Sequence, residues 1–372
     1  MDLYMNRFIS QKFRFYSFVC ITLLMLVHGY NLDESYLQPY TIVYEPLTFT
    51  TFIEYFLANG VLRFRIPMLF IISGYIFALQ DYKPHAERVK KRFNTLMVPY
   101  FIWSAIGLAI TFLLQQHPYS AELVKTAQVD QMGDNRLYSE IGWGGIFTRW
   151  ALVPVSFQLW FIRSLFIYNL LYPLLKWVIT RYPAVWFSIL FLLWYFGFQL
   201  IFIEGQGMLF FSVGIWLYKS SYPIDRKPGW YSHYLGWLFF IGISVIKTFM
   251  AFELEPNDPG TFQTLITLQV ITVLAGILAV WYGGDHLVRW CMQRRWFVWA
   301  SSFSFVVYGL HVPLIIYLTM FLYDIWHEFT FYRLLTYFAA PVIVLVICIA
   351  VGASLRYLLP RVYRVLTGGR GF

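Results

Sequence analysis

The chain has 372 residues, of which 59% are hydrophobic and only 13% charged, and its mean hydropathy is +0.59. A soluble domain carries about 45–50% apolar and about 25% charged residues, so this composition excludes an ordinary soluble protein and predicts an all-α, polytopic membrane protein. The net charge is +9, and in a membrane protein such an excess of basic residues usually lies on the cytoplasmic side. We therefore do not expect the protein to bind nucleic acid.

Ten apolar stretches follow one another along the chain, and crossing a bilayer takes about 20 such residues. They are residues 13–30, 61–80, 95–115, 158–175, 184–203, 206–218, 232–252, 262–282, 301–322 and 335–355. The sixth stretch is short. We predict ten transmembrane helices in a lipid bilayer, the first of them retained rather than cleaved as a signal peptide.

The basic residues favour one side of this arrangement. With a cytoplasmic N-terminus and alternating helices, the inner segments hold 20 of the 28 Lys and Arg residues but only five of the 19 acidic residues. This distribution agrees with the positive-inside rule and predicts that both termini are cytoplasmic. We expect a single transmembrane domain over residues 1–372, with a short basic cytoplasmic tail at 356–372 and no appended soluble domain.

Two long connections, residues 31–60 and 116–157, lie on the predicted outer side. The first contains four acidic residues and neither Lys nor Arg. Loops of this length are uncommon unless they are functional or disordered. They are therefore either plain surface loops or a cover over a site at the outer face, and the sequence leaves both interpretations open.

Charged side chains inside the hydrocarbon region are costly and mark functional sites by default. His28, Arg63, Arg65 and Arg163 lie at the predicted outer ends of three different helices. A histidine can take a proton from a hydroxyl near neutral pH, and arginines can hold an anion or a developing oxyanion. We assign these four residues as a candidate catalytic centre for acyl transfer. The alternative is that the histidine packs and the arginines extend to lipid headgroups.

Other polar residues near the same face are candidates for substrate binding. They are Gln158, Trp160, Glu204 and His311. For His311 a structural role is favoured, because Pro313 opens the ladder of backbone hydrogen bonds and lets side chains bond to the freed groups. Lys247, near the outer end of the seventh helix, is expected to extend towards the headgroups.

A basic cluster that contains Arg88, Lys91 and Arg92 precedes the third apolar stretch. It is either an ordinary positive-inside anchor or a clamp for the phosphates of a cytoplasmic nucleotide cofactor. Arg14 is similar, and it lies fourteen residues before His28, or roughly 21 Å along a straight helix. These four basic residues are the candidate cofactor-binding residues. The sequence has no metal-ligand spacing and no P-loop, and we expect no metal.

Five segments occur in an order that is typical of one protein family. They are residues 13–28, ending in Leu-Val-His; 65–75, with Arg-Ile-Pro-Met-Leu-Phe and Ser-Gly-Tyr; 91–100, a basic start leading to Pro-Tyr; 158–165, with Leu-Trp-Phe; and 304–313, with Tyr-Gly-Leu-His-Val-Pro. On these motifs the chain resembles the acyltransferase 3 family of bacterial membrane O-acyltransferases. Many members carry an arginine eleven residues before the first-helix histidine. Here that position is Ser17, and Arg14 lies one turn earlier, so either Arg14 substitutes or a different donor contact is used.

The resemblance implies a ten-helix acyltransferase in the bacterial cytoplasmic (inner) membrane. It implies acyl-CoA as the donor, most often acetyl-CoA, and a glycan hydroxyl on the outer face as the acceptor, with glycan-assembly enzymes as possible partners. His28 would then act as a general base or would itself take the acyl group. The alternative function is a transporter that moves a glycan or acyl group without catalysis. Transporters often have paired broken helices in their two halves, and the sequence has no such pairing.

Overall fold

The computed structural model describes residues 6–30, 38–130, 132–134, 136–200 and 203–371. Helices dominate these ranges, which confirms the predicted all-α class. The exception is a short antiparallel pairing of Gln199–Leu200 (β1) with Ile203–Glu204 (β2).

Eighteen α-helices are present in the described residues. They are α1 (Arg7–His28), α2 (Phe49–Tyr55), α3 (Arg65–Leu79), α4 (His85–Arg92), α5 (Val98–Leu114), α6 (Pro118–Ala127), α7 (Trp143–Ala151), α8 (Trp160–Leu170), α9 (Tyr172–Arg181), α10 (Pro183–Tyr195), α11 (Gly205–Lys219), α12 (His233–Glu253), α13 (Thr261–Gly283), α14 (Asp285–Met292), α15 (Arg295–Ser301), α16 (Ser304–Trp326), α17 (Tyr332–Leu358) and α18 (Pro360–Leu366). Two π-helical turns, Phe56–Val61 and Phe93–Met97, continue α2 and α4, and a 3₁₀ turn at Phe157–Leu159 precedes α8.

Each of the ten predicted stretches contains helix, although in the fifth, 184–203, the helix ends at Tyr195. Not all of these helices are long enough to cross a bilayer alone. In the described ranges, seven helical segments have the length and hydropathy of a membrane span: α1, α12, α13, α16, α17 and the two continuous runs Phe49–Leu79 and His85–Leu114. The count is eight if the pair α8 and α9, bent by 68°, forms one span. The helices α10 and α11 have only 13 and 15 residues, about 20 Å of helix each. The chain is a multi-pass membrane protein, and the count of ten and the orientation of the termini stay predictions.

The predicted connections contain more structure than expected. Helix α2 occupies part of the first, whose residues 31–37 lie outside the described ranges. The second contains α6 and α7, and the buried Arg149 of α7 pairs with Asp130 at 2.6 Å and with Asp134 at 3.2 Å. At the other end, α17 runs to Leu358 and α18 follows, so the predicted tail from residue 356 is largely helical.

The chain divides into two compact units. The first comprises residues 1–88 and 167–298, and the second comprises residues 89–166 and 299–372. In the first unit, α3 and α11 pack most closely: a Cβ atom on Gly74 would lie 2.1 Å from the Phe211 carbonyl oxygen, and one on Gly214 would lie 2.1 Å from that of Ile71. Small residues that let two backbones meet are a common means of helix association in membranes.

The second unit is built around α5, α16, α17 and α18. Trp103 of α5 is buried, lies directly against Gly309 of α16 and donates its indole N–H to the Leu366 carbonyl of α18 at 2.9 Å. A fully buried tryptophan needs such a partner for its N–H group. This contact therefore fixes the C-terminal helix within the second unit.

Candidate active site

The C-terminal end of α1 and the N-terminal end of α3 lie side by side in the first unit. Arg65, the first residue of α3, is 2% exposed and donates to the Leu23 carbonyl of α1 at 2.7 Å. His28 is the last residue of α1 and is half-buried. The structure therefore brings His28, Arg63 and Arg65 to the same end of the first unit.

The π-helical turn Phe56–Val61 gives this end its polar groups. A π-turn departs from the regular α-helical bonding pattern and is often found at functional sites. Asn59, in this turn, is fully buried; its side-chain oxygen accepts a hydrogen bond from Arg63, and its amide donates to the Tyr30 hydroxyl at 3.5 Å. Because Tyr30 follows His28 by only two residues, the two hydrogen bonds of the Asn59 side chain connect the end of α1 to Arg63.

Lys247 of α12 supports the same turn, contrary to our expectation. It is fully buried and donates to the Asn59 main-chain carbonyl at 2.5 Å and to the side-chain oxygen of Gln269 on α13. The prediction that Lys247 extends to headgroups is wrong, because these two acceptors hold its ammonium group inside the protein. We call Tyr30, Asn59, Arg63, Lys247 and Gln269 the buried polar cluster.

Arg65 mainly bonds to the protein backbone. Besides the Leu23 carbonyl, its guanidinium donates to the Leu62 carbonyl, in the turn between the π-helical segment and α3. A guanidinium bonded to two carbonyls fixes the position of both chain segments. This geometry favours a role for Arg65 in orienting α1 and the residues before α3.

Glu204, at the end of β2, carries the negative charge that faces Arg63. The two groups interact electrostatically, and the Tyr168 hydroxyl donates to the Glu204 carbonyl at 3.2 Å. Burial raises the pKa of the Glu204 carboxyl to about 7, although the positive charge of Arg63 opposes the shift. Glu204 therefore changes its charge near neutral pH beside a candidate catalytic residue.

In the second unit, Gln158 and His311 occupy the break that Pro313 makes in α16. Val312 has extended backbone angles there. The Gln158 amide donates to the carbonyls of Tyr308, Gly309 and Val312 at 3.2–3.3 Å. His311 is fully buried, and its Nδ1 lies 3.0 Å from the carbonyls of Val307 and Tyr308. Both side chains bond to backbone groups that the break leaves available, which favours a structural role for them.

Arg163 and Trp160 of α8 also lie in the second unit. Arg163 is half-buried, donates to the Leu152 carbonyl and interacts with the hydroxyl of Tyr100. Trp160 is half-buried and packs edge-on against Phe161. The groups that contact Arg163, the Leu152 carbonyl and the Tyr100 hydroxyl, thus belong to the second unit, and the assignment of Arg163 to the catalytic centre stays a prediction.

The four predicted cofactor-binding residues have different surroundings. Arg88 is 4% exposed, pairs with Asp81 at 3.1 Å and lies over the Phe77 and Tyr172 rings. Asp81 also pairs with Lys176 and Lys219. This arrangement favours an anchoring role for Arg88.

The other three basic residues of this set are more accessible. Arg14 is exposed and donates to the Val298 carbonyl at 2.5 Å. In the second unit Lys91 is exposed and Arg92 half-buried. Across the described ranges, no group of three or more His, Cys, Asp or Glu residues could hold a metal ion.

Comparison with known proteins adds to this geometry. A family model described as an acyltransferase domain, that of the acyltransferase 3 family, matches residues 13–355. The chain belongs to this acyltransferase family. The protein is therefore an acyltransferase and an integral membrane enzyme, as the five motifs predicted.

One curated relative of this acyltransferase carries a functional name. The succinoglycan biosynthesis protein ExoH of Rhizobium meliloti (strain 1021) is 27% identical to it over 325 residues, which cover 85% of this chain and 81% of that protein. No solved structure matches the chain.

Sequence reasoning did not assign four members of the buried polar cluster to the site of this acyltransferase: Tyr30, Asn59, Lys247 and Gln269. Asn59 lies at the end of the predicted connection 31–60, where an amide is unremarkable, and Gln269 lies in an apolar stretch, where a lone amide gives little signal. Lys247 gave a clear signal, a charge inside a predicted span, but its position near a helix end favoured the wrong interpretation. A polar residue on each of two neighbouring helices, as with Lys247 and Gln269, is the pattern that would have identified the pair.

Proposed function

We propose that this acyltransferase moves an acyl group, acetyl in the first instance, from cytoplasmic acyl-CoA to a hydroxyl of a surface or lipid-linked glycan. The reaction would take place in the bacterial cytoplasmic membrane, with the acceptor on its outer face. The glycan acceptor is supported by the name of the relative, a succinoglycan biosynthesis protein. The cytoplasmic donor is supported by the excess of basic residues in the predicted inner segments.

One observation carries the assignment of the reaction centre. His28 ends α1 two residues before Tyr30, a member of the buried polar cluster, in which Asn59 bonds to both Tyr30 and Arg63. In the proposed centre the His28 imidazole is the proton acceptor and the Arg63 guanidinium is the positive charge. These are the two groups that transfer to a hydroxyl requires.

In the proposed reaction, His28 takes the proton of the acceptor hydroxyl while the hydroxyl oxygen bonds to the thioester carbonyl carbon. The carbon–sulfur bond then breaks, and the CoA sulfur leaves as a thiolate that recovers the proton from the imidazolium. The products are a glycan ester and CoA. A positioned base contributes a rate factor of about 10²–10⁴.

Arg63 would stabilise the negative charge that develops on the carbonyl oxygen. Removing one such donor typically lowers kcat by about 10²–10³. Arg65 would keep the end of α1 in place through its bonds to the Leu23 and Leu62 carbonyls. For Arg163 we keep the proposal that it belongs to the catalytic centre. For Gln158, Trp160, Glu204 and His311 we keep the proposal that they contribute to binding of the acceptor.

The test uses the purified chain in nanodiscs, incubated with labelled acetyl-CoA or another short-chain acyl-CoA and with a fraction of envelope glycans. An acyltransferase produces glycan-bound label that mild alkali releases, together with one equivalent of CoA. If no ester forms with any donor, while sealed vesicles containing the protein accumulate unmodified glycan, the chain is a carrier and the proposal is wrong.

A further inference from the structure

Near the end of the second unit, residues 367–371 form a tight turn against the π-helical turn Phe93–Met97. Three glycines in this turn, Gly368, Gly369 and Gly371, have φ angles of +58°, +77° and +83°, a region that L side chains rarely adopt. A Cβ atom on Gly368 would lie 2.4 Å from the Thr95 carbonyl oxygen, and one on Gly371 would lie 2.2 Å from that of Ser302. The sequence of this turn is therefore adapted to close contact with two other segments.

This turn holds Arg370 in a defined position. The Arg370 guanidinium donates to the Thr95 carbonyl at 2.8 Å and to the Thr367 carbonyl at 3.1 Å, and it lies 4.7 Å from the centre of the Phe305 ring. Arg356 of α17 supports the turn by donating to the Gly371 carbonyl at 3.0 Å.

The described residues place a second positive charge near Arg370. Arg370 forms no ion pair with a carboxylate in the part of the chain that the structure describes, and the charge acting on it is the positive charge of Arg92. Burial, and then the charge of Arg92, lower the pKa of Arg370 to about 10. A partly desolvated guanidinium near a second one is unfavourable unless an anion joins them.

A third group at this place has an unused hydrogen-bonding capacity. The hydroxyl oxygen of Thr95 is buried and has no hydrogen-bond partner among the described residues, although the main-chain carbonyl of the same residue accepts from Arg370. Two guanidiniums and a hydroxyl are a combination that recognises phosphoryl oxygens. Buried polar groups are rarely left without a partner unless a ligand or water provides one.

We propose that Arg92, Thr95 and Arg370 form a binding site for a phosphoryl group, and that the C-terminal turn 367–371 is a part of this site. Both segments belong to the predicted inner face, so under the proposed function the ligand is the phosphate-bearing part of acyl-CoA. The phosphate of an anionic lipid headgroup has the same chemistry and is the other source of the ligand.

The experiment measures ligand binding to the intact protein, without any acyl transfer. CoA is titrated into the protein in nanodiscs of neutral lipid, for the wild type, Arg370→Gln, Thr95→Val and the control Arg361→Gln, whose arginine is exposed on α18. Loss of one charge-assisted contact is expected to raise the Kd for CoA about tenfold in Arg370→Gln and less in Thr95→Val. Arg361→Gln should stay within about twofold of the wild type.

A second arm separates the two sources of phosphate. Thermal unfolding is compared in nanodiscs with and without phosphatidylglycerol. If the site binds lipid, phosphatidylglycerol stabilises the wild type, Arg370→Gln removes this stabilisation, and the wild type does not bind CoA. This result supports the phosphoryl site and contradicts acyl-CoA as its ligand. If Arg370→Gln and Thr95→Val equal the wild type in both arms, the site does not exist. Should Arg370→Gln fail to fold, Arg370→Lys with Thr95→Val provides the same comparison.

Discussion

Lys247 is the residue whose substitution most sharply tests the description of the buried polar cluster. Replacing it with methionine keeps the length of the side chain and removes the ammonium group. Two acceptors, the Asn59 carbonyl and the Gln269 side-chain oxygen, then lose their donor inside the protein. We expect Lys247→Met to lower the free energy of unfolding and to displace the turn that holds Arg63.

The expected loss in the free energy of unfolding follows from the two hydrogen bonds of the Lys247 ammonium group. Hydrogen bonds to a charged group contribute about 1.5–3 kcal/mol each in soluble proteins, but interhelical hydrogen bonds in a membrane protein average about 0.6 kcal/mol. The mutation also removes a positive charge that acts against that of Arg63. Two bonds then contribute about 1–6 kcal/mol together, and we expect a loss of about 2 kcal/mol, near the lower end, because of the membrane value and the relief of repulsion with Arg63.

The assay is denaturant unfolding in mixed micelles, followed by tryptophan fluorescence. Lys125→Met is the control, because the Lys125 side chain is 58% exposed; it should change stability by less than about 0.5 kcal/mol. Adding Gln269→Leu to Lys247→Met should cost less than the sum of the two single changes, since both remove one contact. Equal stabilities for Lys247→Met and Lys125→Met would show that the lysine does not support the cluster.

Three further predictions concern other parts of the fold. Gly74→Ala should strongly reduce the yield of monodisperse protein, because the added Cβ atom has no room against α11. The control Gly242→Ala, whose Cβ atom meets no atom within 4 Å, should purify like the wild type. Equal yields of the two variants would contradict the close packing of α3 and α11. Because the folded-state pKa of Glu204 is raised to about 7, its contribution to stability is fully present below the unfolded value near 4.5 and is lost as the pH rises through 7. The melting temperature of the wild type should therefore fall from pH 5 to 8 more than that of Glu204→Gln, and parallel curves would exclude this carboxyl as the cause. Gln158→Leu should lower the free energy of unfolding by about 1–2 kcal/mol, measured in the same micelles, since it removes the donor to three carbonyls at the break in α16; an unchanged value would mean that water satisfies them equally well.

The sequence predicted well those features that depend on composition along the chain. Every predicted apolar stretch contains helix, because a segment in the bilayer must satisfy its own backbone groups. Hydropathy alone does not reveal where a helix bends or how deeply a short helix is covered by neighbours. The 68° bend between α8 and α9 and the two short helices α10 and α11 are therefore features that the predicted count of ten spans did not anticipate.

The candidate site was predicted only in part, for a similar reason. The common position of His28, Arg63 and Arg65 at one end of the first unit followed from their positions at helix ends. The partners of these residues depend on which helices pack together, which periodicity does not reveal. Arg65 was expected to face a substrate but bonds to carbonyls, and Lys247 was expected to reach headgroups but is fully buried.

Single-turnover transfer from labelled acyl-CoA tests whether His28 is the base in acyl transfer to a glycan hydroxyl. The wild type, His28→Ala and His28→Gln are compared in nanodiscs, after melting curves show that all three fold. We expect both variants to bind CoA like the wild type and to transfer label about 10²–10⁴ times more slowly. Transfer at the wild-type rate by folded His28→Ala would contradict the role of His28 as the base.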